Sequence, residues 1–175
     1  MLPDGILYSL DKTCLLSCPA DSRSAAIAHS VRIIGKGAFS GCRRLTSLTI
    51  PDSVISIEPY AFSGCTGITD LIIPASVKTV GNNAFLFCIR LASLTLSGCV
   101  TDIGDNAFAG CEALRTIRIL NEKPLSCTPG FEETVLKDAI LCVPCGSLEA
   151  YKRVAPWKNF ANIAETDFHA TPEKG

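Results

Sequence analysis

Charge and long apolar runs are both scarce in this sequence. Only 19% of its 175 residues are charged, and the formal net charge is −1. Such a chain has no long-range attraction for nucleic acid or for anionic lipid. It also has no apolar run long enough to cross a bilayer, which excludes membrane insertion. Hydrophobic residues nevertheless make up 47% of the chain, so a disordered protein is excluded too.

Residues that usually carry catalysis are scarce as well. The two histidines are His29, which aligns with Asp52 and Ala75 in an expected exposed turn, and His169, near the end of the chain. Neither position offers the held imidazole that a Ser–His or Cys–His pair needs. No glycine-rich phosphate loop follows a strand, and no His-Glu-x-x-His motif occurs. The sequence therefore predicts no enzyme, no metal site and no cofactor.

What the sequence does have is one pattern written four times at a step of 23 residues. Three further apolar residues, Ile27, Val31 and Ile34, align one step before the first full unit, and Phe131 lies 23 residues past Phe108. The four full units share an Ala-Phe pair, a cysteine and an apolar trio. They are Ala38-Phe39, Cys42 and Leu45/Leu48/Ile50; Ala61-Phe62, Cys65 and Ile68/Leu71/Ile73; Ala84-Phe85, Cys88 and Leu91/Leu94/Leu96; and Ala107-Phe108, Cys111 and Leu114/Ile117/Ile119.

A fixed apolar position in each unit indicates stacked coils. One 23-residue coil cannot bury its own apolar side chains, whereas neighbouring coils can cover one another. The stretch LTSLTI favours a short strand, AFSGC a helical or 3₁₀ turn, and SVISI a second extended segment. Leu141 and Val143 match Ile117 and Ile119 with a shift of one residue. We expect five or six coils.

The repeated line I-G-x-x-A-F-x-x-C-x-x-L-x-x-L-x-I-P-x-x-V resembles the leucine-rich repeats of the BspA-like, treponemal type found in bacterial surface proteins. The resemblance implies an α+β repeat solenoid. In that fold a right-handed superhelix carries a parallel sheet on its concave face and short β or 3₁₀ turns on its convex face. It also implies a non-enzymatic protein-interaction module, active in adhesion, at the cell surface, in the periplasm or secreted. The sequence departs from the pattern at Glu58, at Phe87 and at Ser97-Gly98.

We expect one capped domain over residues 1–165, with the repeats at about 27–143. The caps are expected at about 5–26 and 144–165, and a loose tail at 166–175. The first cap is predicted as a hairpin, and the second as a helix that begins after Ser147 and ends before Pro156. Trp157, Phe160 and Ile163 are expected to cover the last coil. The first ten residues lack the charged and apolar blocks of a signal peptide, so we expect either an intracellular protein or a mature, trimmed form.

Ten cysteines raise the question of metal or redox chemistry. A metal ladder or a disulfide chain is one interpretation of the four cysteines in register, and a buried small side chain in each coil is the favoured one. Cys142 and Cys145 form a Cys-x-x-Cys, and Cys14 and Cys18 a Cys-x-x-x-Cys, but these pairs belong to opposite ends of the stack. They cannot form one zinc site. Cys142 is expected in the last strand and Cys99 in a turn.

The concave sheet is the one continuous surface that the repeat is expected to build. Its outward residues are predicted to bind a protein or an extracellular-matrix component. Ile140 and Cys142 continue the rows. Two alternatives stay open: self-association, through this surface or through an apolar patch around Phe87, Ile89 and Ile72, and carriage of a small apolar ligand. The predicted partner-binding residues are Thr46, Ser47, Thr49, Thr69, Asp70, Ile72, Ala92, Ser93, Thr95, Arg115, Thr116 and Arg118.

Overall fold

The computed structural model describes residues 5–125 and 127–168 of the chain, and most of its regular structure is short strands. The few helical segments are α1 (Glu133–Asp138), α2 (Leu148–Tyr151) and a 3₁₀ turn (Trp157–Asn159). The strands are β1 (Leu7–Tyr8), β2 (Cys14–Ser17), β3 (Ser24–Ala26), β4 (Ile33–Ile34), β5 (Ser47–Thr49), β6 (Ser56–Ile57), β7 (Asp70–Ile73), β8 (Thr79–Val80), β9 (Ser93–Leu96), β10 (Asp102–Ile103), β11 (Thr116–Ile119), β12 (Ile140–Pro144) and β13 (Asn162–Thr166).

The longer strands form one row, which we call the strand face, with one strand in each coil. In chain order the row is β3, β5, β7, β9, β11, β12 and β13, and every hydrogen-bonded pair within it is parallel. At most steps of the row, residues that are 23 positions apart lie opposite each other, as Asp70 and Ser93 do. The step from β11 to β12 gains one residue, so that Ile117 lies opposite Leu141 as predicted. Seven strands mean that the expectation of five or six coils was too low, because β3 and β13 each add one.

A second sheet is made of two-residue strands and the four-residue β2, and it ends at β10. It runs in the order β1, β2, β4, β6, β8, β10, and β1 pairs antiparallel with β2. The predicted N-terminal hairpin is therefore confirmed. The predicted extended segment at SVISI is confirmed as β6, which pairs parallel with β4 and β8.

Between the two sheets lie the Ala-Phe turns, which build the core. They are successive three-residue turns, in which the N–H of Ser40 donates to the carbonyl of Gly37 and that of Cys42 to the carbonyl of Phe39. The rings of Phe39, Phe62, Phe85 and Phe108 are buried and stacked, with centroids 4.8, 5.0 and 5.3 Å apart. Phe131 continues the stack at 6.0 Å. It is only half-buried, however, so its prediction as a fully buried member was wrong.

The C-terminal end differs in detail from the helix predicted there. Only four residues after Ser147 are helical, and the Ser147 side chain makes no capping hydrogen bond. The chain then adds β13, which pairs along its whole length with β12. Strand β12 is therefore not the last strand. Trp157 and Phe160 are buried and Ile163 is half-buried, with the rings of Trp157 and Phe160 both close to Phe131. These aromatic side chains cover the end of the core.

Among the helices in the described part of the chain, none is both long enough and apolar enough to span a bilayer.

Candidate binding surface

All twelve residues predicted to bind a partner lie in the strand-face row or directly before one of its strands. Seven are exposed and five are half-buried. Their role in binding stays a prediction, but their common register gives one surface that continues from coil to coil. The exposed residues are Thr46, Ser47, Thr49, Asp70, Ile72, Arg115 and Arg118; the half-buried ones are Thr69, Ala92, Ser93, Thr95 and Thr116.

The two arginines of this surface are held by neighbouring groups. The Arg115 guanidinium donates to the carbonyls of Glu112 and Leu114, at 3.0 and 2.8 Å. The Arg118 guanidinium reaches back to the Ser93 hydroxyl at 3.4 Å. The strand face therefore carries two positive charges at β11, and both side chains are partly ordered before any partner binds.

Ile72 is the most exposed apolar side chain on the strand face. Its accessible fraction is 66%, whereas the neighbours of the same strand, Leu71 and Ile73, are buried at 3% and 0%. The alternation of a strand explains the difference, because successive side chains point to opposite faces. Ile140, at 47%, is the other exposed aliphatic residue of the row. An exposed Ile on a strand face made mostly of short polar side chains is an available apolar anchor.

The strand face is interrupted between β5 and β7, and we call this interruption the seam. At other steps of the row, the main-chain N–H of the first strand residue donates to a carbonyl of the preceding coil. These bonds run from Ser47 to Arg23, from Ser93 to Thr69 and from Thr116 to Ala92. The equivalent Asp70 has no such bond, and the described residues show no main-chain hydrogen bond between β5 and β7.

A proline explains part of this interruption. Ser97 and Leu120 each donate a main-chain N–H to the preceding coil, to Ile73 at 3.0 Å and to Leu96 at 2.9 Å. The equivalent position at the seam is Pro74, which has no N–H to donate. One of the bonds that would join β7 to β5 therefore cannot form.

A groove of about 500 Å³ lies at the seam. Leu48 is half-buried there, although its equivalents in the next coils, Leu71, Leu94 and Ile117, are buried at 3%, 0% and 0%. The open seam thus uncovers a core position. The groove is lined by His29, Leu48, Thr49, Ile50, Pro51, Asp52, Asp70, Ile72 and Pro74.

Of these lining residues, the sequence singled out Thr49, Asp70 and Ile72 for binding, and missed the rest. His29 is exposed in a turn, as predicted. The available signal was Pro74, because a proline at a ladder position removes a strand-to-strand bond. His169 lies outside the described residues.

The four cysteines in register form a buried ladder with a structural explanation. Cys42, Cys65, Cys88 and Cys111 are at most 1% exposed. The last three donate their thiols to the carbonyl of the phenylalanine 26 residues earlier, with sulfur–oxygen distances of 3.0, 3.3 and 3.3 Å. Cys42 instead lies 3.6 Å from the carbonyl of Pro19. Each thiol therefore fills a core position and joins two coils.

Cys42, Cys65 and Cys88 are also poor acids. Desolvation raises the pKa of Cys42 to about 12 and moves the pKa of Cys65 well above its usual range. For Cys88 the hydrogen bond with Cys111 is the main cause of a strongly raised pKa, with burial second. Since the thiolate is the nucleophile and the metal ligand, this position is unsuited to either chemistry.

The remaining cysteines do not assemble a site. Cys142 is half-buried inside β12, and Cys145 follows it in an exposed turn. Cys99 is exposed in a turn, as predicted. Within residues 5–125 and 127–168, no three His, Cys, Asp or Glu side chains are grouped as a metal site would require.

Phe87 is the residue most at odds with its backbone. Its φ is +57°, at a position where Gly41, Gly64 and Gly110 have φ of +74°, +71° and +71°. L-residues pay about 1–2 kcal/mol for the left-handed conformation. Its ring is 57% exposed, and the nearby Ile89 is 47% exposed. The third coil therefore presents two large apolar side chains where the other coils have Gly and polar residues.

These features define a class: a capped, parallel β-solenoid of repeated coils, with a strand face that is interrupted only at the seam and a stacked phenylalanine core. Residues 9–126 match the model of the BspA type leucine-rich repeat region, in six copies. The match covers more than half of the chain. The chain therefore belongs to the BspA-type leucine-rich repeat family.

Solved structures of bacterial proteins share the fold. The pneumococcal vaccine antigen PcpA superimposes with a TM-score of 0.71 at 18% identity, over 94% of this chain and 45% of that one. The T. pallidum leucine-rich repeat protein TpLRR superimposes with a TM-score of 0.58 at 18% identity, over 87% of this chain and 93% of that one. A leucine-rich repeat protein from Eubacterium ventriosum superimposes with a TM-score of 0.55 at 20% identity, over 75% of this chain and 42% of that one. The chain thus spans less than half of the PcpA and Eubacterium chains. A search of curated proteins found no match.

Proposed function

We propose that this chain is a non-enzymatic adhesion module that binds a protein or extracellular-matrix partner through the strand face, at the bacterial surface or after secretion. Leucine-rich repeat proteins are typically interaction modules, and extended sheet surfaces are what solenoids commonly use to bind. The observation that carries the proposal is the exposure of Ile72 in the middle of a surface whose residues align from coil to coil.

The apolar anchor and its polar surroundings match the usual composition of a binding surface. A few central, desolvated residues dominate interface energies, and the polar rim contributes little. Ile72 has Asp70 on its own strand and Thr95 opposite it on β9. Arg115 and Arg118 lie two coils away, where a positive charge steers association more than it adds affinity.

The test replaces Ile72 by lysine and measures binding of the purified chain to an immobilised extracellular-matrix preparation. Ile72→Lys should weaken binding at least about tenfold, through lost burial and a charge placed in the contact. The thermal midpoint should stay nearly unchanged, because the side chain lies outside the core. Arg115 and Arg118 variants should mainly alter the association rate and its salt dependence.

Matched controls come from the turn side of the coils. Lys36 and Asn82 are exposed and lie outside the strand-face row, so Lys36→Ala and Asn82→Ala should bind like wild type. If these two variants lose binding and Ile72→Lys keeps it, function lies on another face.

Self-association is a second candidate, favoured by the exposed Phe87 and Ile89. A strained backbone that presents an exposed aromatic ring is typical of a functional position rather than of a stable turn. Light scattering over a concentration series tests it. A mass that rises with concentration in the wild type and not in Phe87→Gly would support dimer formation through this coil.

A further inference from the structure

The seam has an unfilled requirement for hydrogen bonds. In a parallel ladder, alternate residues direct both the N–H and the C=O toward the same neighbour. The bonds from Ser93 and Thr116 to their preceding coils show that Asp70, the equivalent residue of β7, faces β5. By the same alternation, the main-chain N–H and C=O of Ile72 also point toward β5. The main-chain groups of Asp70 and Ile72 on one side, and those of Leu48 on the other, thus face each other without bonding.

The seam also has an unfilled apolar requirement. Leu48 occupies a core register but is only half-buried, and the exposed Ile72 borders the same groove. Apolar surface in contact with water at a core position costs free energy that a covering side chain recovers. An occupant of the seam must therefore supply both main-chain hydrogen bonds and an apolar side chain.

The charge at the seam is negative. Asp52 and Asp70 line the groove, and no lysine or arginine lines it. Neither carboxylate belongs to an ion pair within the described residues. The Asp70 carboxylate accepts a hydrogen bond only from the neighbouring Thr69 hydroxyl. A lysine or arginine from outside is the complementary group.

We propose that the seam is a docking site for an extended peptide segment of a partner protein. The segment pairs its main chain with the open edge of β7, which is the edge strand of the five-stranded sheet, as in strand addition to a sheet. It places an apolar side chain against Leu48 and Ile72 and a lysine or arginine beside Asp52 or Asp70. The inference rests on the proposal that the strand face binds a protein, and it names the part of the face and the chemistry of the partner.

The first measurement is hydrogen exchange of the free chain. The amides of Asp70 and Ile72 should exchange much faster than those of Ser93 and Thr95, which are the equivalent residues of the next coil and pair with β7. Equal protection of the two pairs would mean that the seam is closed in solution, and the proposal would fail.

The second measurement uses defined peptides. The probe is a pool of heptapeptides with a lysine at each end and Val, Ile, Thr or Phe at the five inner positions. Members that bind should slow exchange at Asp70 and Ile72. Methylating alternate main-chain nitrogens of the tightest member should weaken it at least tenfold, because that change removes N–H donors and leaves every side chain in place. The proposal is overturned if no member binds at millimolar concentration, or if the methylated peptide binds equally well.

The third measurement restores the missing bond. Pro74→Ser supplies the N–H that Ser97 has in the next coil, so it should close the seam, protect Asp70 and weaken peptide binding at least tenfold. Pro59→Ser is the control. It makes the same substitution just before the Ala61-Phe62 turn, outside the residues that line the groove, and should leave peptide binding unchanged. If both variants bind alike, Pro74 does not control the site.

The proposed function and the seam can fail separately. If Ile72→Lys loses the matrix partner while Pro74→Ser keeps it, the strand face binds but the seam is not the docking site. If neither variant affects matrix binding while the peptide results hold, the seam binds peptides and the matrix proposal falls.

Discussion

At the scale of single residues, Phe87 and Gly110 form a pair that the repeat pattern does not anticipate. Both have positive φ, and a Cβ atom added to Gly110 would collide with the Phe87 ring. Gly41 has a similar φ but open space around its Cα. Comparing substitutions at Gly110 and at Gly41 therefore separates the cost of backbone strain from the cost of crowding by the Phe87 ring.

This comparison gives a double-mutant prediction. Gly41→Ala should cost about 1 kcal/mol of unfolding free energy, from its φ alone. Gly110→Ala should cost about 1–3 kcal/mol more, because it also overpacks against the ring. In a Phe87→Gly background, Gly110→Ala should cost no more than Gly41→Ala. Urea titrations of the four variants measure the coupling, and a coupling near zero would show that the ring does not lie over Gly110.

Thiol reactivity is the second property decided at single residues. Cys99 and Cys145 are exposed, so they should react first with a thiol reagent in the native protein at mildly alkaline pH. Cys65 and Cys88 should react only after unfolding, because burial hides them and their raised pKa leaves little thiolate. Mass spectrometry of labelled peptides assigns each site. Rapid native labelling of Cys65 or Cys88 would contradict a buried ladder.

At the scale of the repeated element, the phenylalanine stack explains why the coil has one length. Each ring lies against the ring of the next coil at about 5 Å, nearly parallel. The main chain reinforces the stack, because the N–H of Phe62 donates to the carbonyl of Ala84 and that of Phe85 to the carbonyl of Ala107. A coil one residue longer would move its ring out of this row.

Truncating the middle of the stack should therefore be costly. Phe85 is fully buried between two rings, and Phe85→Ala should lower the unfolding free energy by about 3–5 kcal/mol. Phe87→Ala, two residues along in the same coil, removes an exposed ring and should cost much less. Denaturant titration of both variants checks this. Equal losses would mean that the stack does not carry the stability of the coil.

The sequence was informative about elements wherever the pattern repeats, and less so elsewhere. The stacked phenylalanines and the buried cysteines recur at one spacing, so their burial followed from the register. The short α2 helix occurs once, at the end of the chain, where no neighbouring coil confirms a local signal such as Ser147. Strand β13 had no match in the repeat pattern, and its pairing with β12 depends on tertiary contacts. Predicting the seam would have required knowing which main-chain groups of β5 and β7 face each other.

At the scale of the whole molecule, the seam raises the question of whether the solenoid folds as one unit. In a repeat protein each coil contacts only its neighbours, so a weak step can divide the array into two cooperative blocks. Several connections cross the seam nonetheless, among them the hydrogen bond from the Cys65 thiol to the Phe39 carbonyl. The rings of Phe39 and Phe62 stack at 4.8 Å, and β4 pairs with β6 in the second sheet. These contacts join the coils before and after the seam.

We therefore expect one cooperative unfolding transition across the seam. Trp157, the single tryptophan, is buried at the C-terminal end, and its fluorescence reports on the coils after the seam. Pulsed labelling of Cys42 reports on the coil before it, and Cys88 provides a control on the same side as Trp157. Along a urea titration all three signals should share one midpoint. If Cys42 becomes reactive at lower urea than Cys88 and Trp157, the seam is a boundary between two blocks, and the phenylalanine stack and second sheet are too weak to couple them.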